Sequence, residues 1–204
     1  MHRALVAEAG MLKAVLFDMD GTLTQPLIDW QEVRRRLEVT EGASIMDHIE
    51  MLNGHRRDQA ESLLEQIEFE AATAAVPNDG VVELTNRLRE HGLKTGLVTN
   101  NHRHAMTHIV EKLGLRFDLL LSREDGIAKP APDLLILALE RLGLEPGDAV
   151  FVGDGRYDRA AAAAAEVSYI HLDHDPAAAP KGPTVHRLSQ VWQLLEPLMS
   201  APPE

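Results

Sequence analysis

Leu16-Phe17-Asp18-Met19-Asp20-Gly21-Thr22-Leu23-Thr24 is the stretch on which the reading of this chain turns. The apolar run Ala14-Val15-Leu16-Phe17 has the character of a buried strand, and Gly21 marks a turn just beyond it. A strand ending there presents Asp18 and Asp20 together at its carboxyl edge, where open α/β sheets bind ligands. Neighbouring carboxylates repel, so the pair needs a cation, a shared proton or two different tasks.

Working outward, residues 25–77 leave the strand pattern and turn helical. Trp30, Val33 and Leu37 share one face of a first helix, and Ser44 with Asp47 forms a capping arrangement for a second. A third helix spans about Arg56 to Ala75, after the turn signal Asn53-Gly54. Pro77-Asn78-Asp79-Gly80 closes the block, which reads as a lid over the edge that carries the aspartates.

From there strands and helices alternate. Strands are expected at Leu93–Val98, Phe117–Leu121, Asp148–Val152 and Val167–Leu172, with helices between them capped by Gly92, Gly114 and Gly143. The alanine run 160–165 suits a helix packed closely on a sheet. Residues 173–183 read as a loop, and Leu188, Val191, Leu194 and Leu195 form a last helix ahead of a fraying end. The expected fold is α/β: a Rossmann-like parallel sheet with helices on both faces and a small all-helical cap inserted after the first strand. The core takes 11–24 and 78–204 and the cap 25–77, with 1–10 an N-terminal extension.

Composition narrows the function. The 204 residues carry a net charge of -12, against nonspecific nucleic-acid binding. There is no cysteine, which removes disulfides, thiolate metal sites and cysteine nucleophiles. No apolar run is long enough to span a bilayer. The expectation is a cytoplasmic protein without membrane or nucleic-acid partners, monomeric by default, with a dimer left open.

Four separated segments, in order, resemble the motifs of the haloacid dehalogenase-like hydrolase superfamily. Asp18-Met19-Asp20-Gly21-Thr22 resembles the first, Thr99 at the end of Leu97-Val98-Thr99-Asn100 the second, Lys129-Pro130 the third, and Gly153-Asp154 with Asp158 the fourth. The helical insertion is similar to the cap of the phosphoglycolate phosphatase-like branch. The resemblance implies a Mg2+-dependent phosphatase acting on a small phosphate monoester. In that pattern Asp18 is the nucleophile and Asp20 the general acid and base. Thr99, Asn100 and Lys129 hold the phosphoryl group. The metal lies on Asp18, the Asp20 carbonyl and Asp154, with Asp158 as a ligand or a support; Asp158 also suits a helix N-terminus. Asn100 could equally serve the turn.

A phosphomutase would use the same groups, and a regulatory protein could keep the fold without the chemistry. A hydrolytic dehalogenase needs neither metal nor second acid, so Asp20 and Asp154 disfavour it. Gly155 stands where the family often has a polar side chain, and Glu166 where it often has glycine. His102, His104 and His108 read as a solvated helix face, His171 and His174 as loop residues. Arg34, Arg35, Arg36, Arg56 and Arg57 also read as solvated, although cap arginines could reach a substrate anion. Prolines 130 and 132 are expected to hold the Lys129 loop extended.

Overall fold

The computed structural model describes residues 11–177, 179–180 and 182–199; the expected extension at 1–10 and the fraying end at 200–204 lie outside them. In chain order the elements are β1 Ala14–Phe17, α1 Trp30–Arg36, α2 Ile45–Met51, α3 Gly54–Ala74, α4 Val81–Glu90, β2 Lys94–Val98, α5 Arg103–Lys112 and β3 Leu119–Leu121. There follow α6 Asp133–Leu142, β4 Ala149–Gly153, α7 Arg156–Ala164, β5 Ser168–Leu172, β6 Thr184–Val185 and α8 Val191–Met199.

The strands form one six-stranded sheet in the order β3-β2-β1-β4-β5-β6. Every paired neighbour is parallel. β1 sits between β2 and β4, so the chain order reverses direction beside it, and the crevice outside its carboxyl end is the natural ligand site of such a sheet. Alternate residues of β1 face opposite layers. Val15 and Phe17 join a core with α4, α5 and α8. Ala14 and Leu16 join a second core with α6 and α7. Burial on both faces is why these strands read as unbroken apolar runs.

β6 begins directly after the stretch 173–183 expected as a loop, at positions for which no strand was expected. It has only two residues, yet Thr184 and Val185 pair with His171 and Leu172 and extend the sheet by a strand. At the turn from α7 to β5 the glycine that would ease a left-handed backbone is absent, and Glu166 takes that conformation itself (φ 58°). The cost is on the order of 1 kcal/mol relative to glycine.

The cap has its own small core of Val33, Leu37, Ile49, Ala60 and Leu64. Asp29 caps α1 by accepting from the Gln31 and Glu32 amides (3.0 and 3.1 Å), and Ser44 caps α2 through the Asp47 amide (3.3 Å). α3 buries different faces along its length: Ala60 and Leu64 pack within the cap, whereas Ala72 reaches the main core. Its apolar residues therefore follow no single stripe.

Two short linkers carry the cap, and they run side by side. The Gln25 amide donates to the Val76 carbonyl (2.9 Å), and the Asn78 amide donates to the Leu23 carbonyl (2.9 Å). The Asn78 side-chain Nδ2 lies 3.0, 2.8 and 3.0 Å from the carbonyl oxygens of Gly21, Thr22 and Thr24. That amide ties the returning linker to the turn behind the aspartates.

The histidines after β2 do more than face solvent: His104 stays exposed and His102 and His108 are half-buried, yet all three meet the cap. His104 stacks on Phe69 of α3 with ring centroids 4.3 Å apart, and His108 meets the same ring at 5.2 Å. His102 caps α5 and points its Nε2 at Glu65 (3.3 Å) and Glu124 (3.1 Å). Likewise His171 lies in β5, not in a loop, with its Nδ1 3.4 Å from the Tyr169 hydroxyl.

Candidate active site

Between the sheet edge and the cap lies a cavity of about 350 Å³. The order of the sheet delivers residues distant in sequence to its floor: Asp18 from the end of β1, Asn100 from β2, Lys129 from the loop after β3, Asp154 and Asp158 from β4 and α7. Thr99 stands just behind the wall and is not among the residues lining the cavity. It is 1% exposed, and its hydroxyl donates to Asn101 Oδ1 (3.3 Å) and accepts from the Asn101 amide (3.1 Å).

Lys129 is the hub. Its buried ammonium donates to Asp18 Oδ1 (2.6 Å), Asp158 Oδ1 (2.6 Å) and the Val98 carbonyl (2.9 Å). Burial alone would lower its pKa, but the charges of Asp158 and Asp18 outweigh that and raise it, so it stays an ammonium. Its loop does not run extended as its prolines suggest: it turns, and the Lys129–Pro130 peptide bond is cis. The loop is fixed by Asn100, whose Nδ2 donates to the Lys129 carbonyl (2.7 Å) and whose Oδ1 accepts from the Lys129 amide (2.8 Å). The Asn100 side chain thus positions the lysine.

Opposite that one ammonium stand several carboxylates. Carboxylate oxygens of Asp18, Asp154 and Asp158 lie within 4.8 Å of one another. Asp18 is pushed from 3.8 up to about 7 by burial and by Asp158 and Asp154, against the pull of Lys129. Asp154 is pushed up to about 7 by burial and by Asp158 and Asp20. Carboxylates this close, and this poorly compensated, ask for a further cation. An all-oxygen donor set is the kind that suits Mg2+.

Backbone geometry permits the crowding at two glycines. A Cβ on Gly21 (φ 79°) would lie 2.1 Å from Asp154 Oδ2, and one on Gly153 would lie 2.7 Å from the Asp158 Cβ. Asp158 also accepts from the Gly155 amide (2.9 Å), so at this position backbone rather than a polar side chain supports the carboxylate.

Asp20 is held apart from the trio. Its pKa is raised from 3.8 to about 7, by burial first and then by Asp18, while hydrogen bonds from the Trp30 side chain and the Leu27 backbone hold it down. Trp30 therefore serves the cavity rather than the cap core: it is 38% exposed, unlike its helical companions Val33 and Leu37.

Several residues here escape a reading of the sequence. Glu68 of α3 is 2% exposed and receives Arg123 Nη1 at 2.6 and 2.7 Å, the His102 amide at 2.8 Å, and lines the cavity. The same guanidinium donates to the Asn100 carbonyl (3.0 Å), so cap and core meet through a buried ion pair. His174 brings its Nε2 to the Gly21 carbonyl (2.7 Å) and to 3.8 Å from Asp154 Oδ2. Within the arginine run, Arg35 pairs with Glu32 at 2.6 Å toward solvent, but Arg34 turns into the cavity wall.

Comparison with known proteins points the same way. The profile of the haloacid dehalogenase-like hydrolases matches residues 12–166. N-acetylmuramic acid 6-phosphate phosphatase of Pseudomonas aeruginosa is 29% identical over 196 residues, covering 81% of this chain and 87% of that protein. A haloacid dehalogenase-like hydrolase domain-containing protein of Arabidopsis thaliana is 29% identical over 158 residues, covering 72% of this chain but 64% of that protein, under two thirds of its length. The crystal structure of a HAD phosphatase from Thermococcus onnurineus superposes with a TM-score of 0.67 at 24% identity, over 90% of this chain and 98% of that one, which is a likeness of fold.

Proposed function

The chain belongs to the haloacid dehalogenase-like hydrolases, and on that premise we propose that it is a Mg2+-dependent phosphatase of the phosphoglycolate phosphatase-like branch. It hydrolyses a small organic phosphate monoester through an aspartyl-phosphate. The observation that carries this reading is the arrangement at the β1 edge. A buried Asp18 touches Lys129 at 2.6 Å inside a carboxylate trio, while Asp20, two residues on, is held separately by the cap side.

In the first step an Asp18 carboxylate oxygen attacks phosphorus and the bond from phosphorus to the ester oxygen breaks. Asp20 gives its proton to the departing oxygen. In the second step Asp20 takes a proton from water as that water attacks the phosphorus of the aspartyl-phosphate, and Asp18 leaves as a carboxylate. A carboxyl pushed up to about 7 is suited to both tasks near neutral pH. Splitting the hydrolysis into two displacements is the gain from a covalent intermediate. Lys129 counters the charge on Asp18 and on the transferring group, the kind of stabilisation on which phosphoryl transfer depends. At the β2 end Asn100 serves that group by keeping Lys129 in position, and Thr99, behind the wall, supports the strand end through Asn101.

Mg2+ would be held by the Asp18 and Asp154 carboxylates and the Asp20 carbonyl, with Asp158 directly or through water, and supplies charge neutralisation at the phosphoryl oxygens.

The test is hydrolysis of a phosphate-ester panel with and without EDTA, by wild type and Asp18→Asn. Turnover by wild type should stop with EDTA and return with Mg2+. The Asp18→Asn protein should lose about 10⁴-fold or more; an undiminished rate in it would sink the mechanism.

A further inference from the structure

Asp154 stands between two glycines, and neither has room for a side chain. A Cβ on Gly153 would lie 2.7 Å from the Asp158 Cβ, and one on Gly155 would lie 2.9 Å from Asp158 Oδ2. The strand end that carries this carboxylate therefore has no flanking side chain to stiffen it, and glycine leaves the backbone more freedom than any other residue. Asp154 also shares a 4.8 Å cluster with Asp18 and Asp158, whose charges repel its own. Its aim has to be fixed from outside the loop.

Tyr169 of β5 supplies that support. It is the register partner of Phe151, so its side chain runs along the strand to reach Gly153, two residues further on. Its hydroxyl donates to the Gly153 carbonyl at 2.6 Å and lies 3.4 Å from the Gly155 carbonyl, one on each side of Asp154. The ring is half-buried, with the Phe151 ring 6.1 Å away and the Arg159 guanidinium 5.3 Å from its centroid. Burial, followed by the charges of Asp158 and Asp154, holds the phenol far above its ordinary pKa, so the hydroxyl keeps the proton it donates. His171 brings its Nδ1 to 3.4 Å from the same hydroxyl and also bonds the Gly153 backbone, so two side chains of β5 converge on one peptide. Neither is among the residues lining the cavity. They act behind the wall, not on a substrate.

We infer that Tyr169 is a positioning residue for the metal site: its hydroxyl fixes the backbone on either side of Asp154, so that the carboxylate is already aimed when the cation binds. The inference rests on the Mg2+ reading above for the identity of the cation, and on the 2.6 Å hydrogen bond for the support. Groups one step behind a metal ligand commonly govern affinity for the ion.

The test is calorimetric titration of Mg2+ alone into wild type, Tyr169→Phe and Val167→Ala at one fixed pH. Tyr169→Phe keeps the ring and removes only the hydroxyl, and should weaken Mg2+ binding about tenfold. In hydrolysis of p-nitrophenyl phosphate the half-saturating Mg2+ concentration should rise in step, and the lost rate should return at high Mg2+. Val167→Ala thins the buried packing just ahead of β5 without touching the hydroxyl, and should lower the melting temperature while Mg2+ affinity holds. Equal affinity in wild type and Tyr169→Phe would overturn the inference. So would an equal weakening in Val167→Ala, which would make the effect one of general loosening. If wild type binds Mg2+ and Tyr169→Phe binds it more weakly, yet no ester is hydrolysed, the positioning role stands and the phosphatase reading fails. If wild type binds no Mg2+, the inference falls together with the metal reading.

Discussion

The sheet edge and the cap supply the same cavity by different means. At the edge, each functional side chain follows the end of a strand, and pairing between strands decides which residues meet. Asp18 and Lys129 touch although 111 positions separate them, because β1, β2 and β3 are consecutive in the sheet. The cap has no such lattice. Trp30, Arg34 and Glu68 reach the cavity from helices whose core is small, and their aim depends on the linkers, on the Phe69–His104 stack and on the Glu68–Arg123 pair. On the proposed reading the reacting groups thus sit on the strand-built side of the cavity, and the cap faces them from helices with a small core of their own.

Separating the two regions by mutation is the direct way to break this contrast. The largest effect after loss of the nucleophile belongs to the edge. Asp20→Asn should lower turnover about 10²–10⁴-fold, and more for alkyl esters than for p-nitrophenyl phosphate, whose leaving group needs little protonation. An equal loss on both would remove Asp20 from its role as acid.

The second perturbation belongs to the cap. Glu68→Ala leaves Arg123 buried without its partner and should cost about 3 kcal/mol of stability, read as a lower melting temperature together with a KM that rises more than kcat falls. A cap that held its place by apolar contact alone would shrug off this change.

The smallest effect concerns pH in the metal-free protein. Asp18, Asp20 and Asp154 each stand near 7 instead of 3.8. Between those values the folded chain keeps protons that the unfolded chain has released. The stability from these groups is therefore present below about pH 4 and is lost as the pH climbs through about 7. EDTA-treated protein should melt several degrees lower at pH 8 than at pH 5, at roughly 2–4 °C per kcal/mol. Mg2+ at pH 8 should restore the melting temperature, and Asp154→Asn should flatten the pH dependence. Identical melts at the two pH values, with no response to Mg2+, would show the carboxylates to be compensated from within the chain.

The same contrast explains which features are legible in the sequence. Strand ends advertise themselves: an apolar run, then an aspartate, a threonine or a glycine, is a local pattern, and Asp18, Thr99 and Asp154 all follow one. Lys129 is legible only through its motif, since its fixing depends on the side chain of Asn100, 29 positions away. Glu68 is hidden because α3 is rich in acids and buries two faces in turn, so nothing local distinguishes this glutamate from Glu65 or Glu70. The histidines of α5 have a solvated look because their partner, Phe69, belongs to another helix. β6 is concealed by its length, for two residues in a proline-rich stretch have no period to detect.

Asn78 carries a consequence for engineering. With one amide it reaches three carbonyls in the turn that presents Asp20, and it does so from the point where the second linker re-enters the core. The insertion therefore has two cut points, next to each other at Gln25 and Val76, on the far side of a fastened knot. A foreign cap spliced between them, with Asn78 retained, would inherit the turn after Asp20 intact.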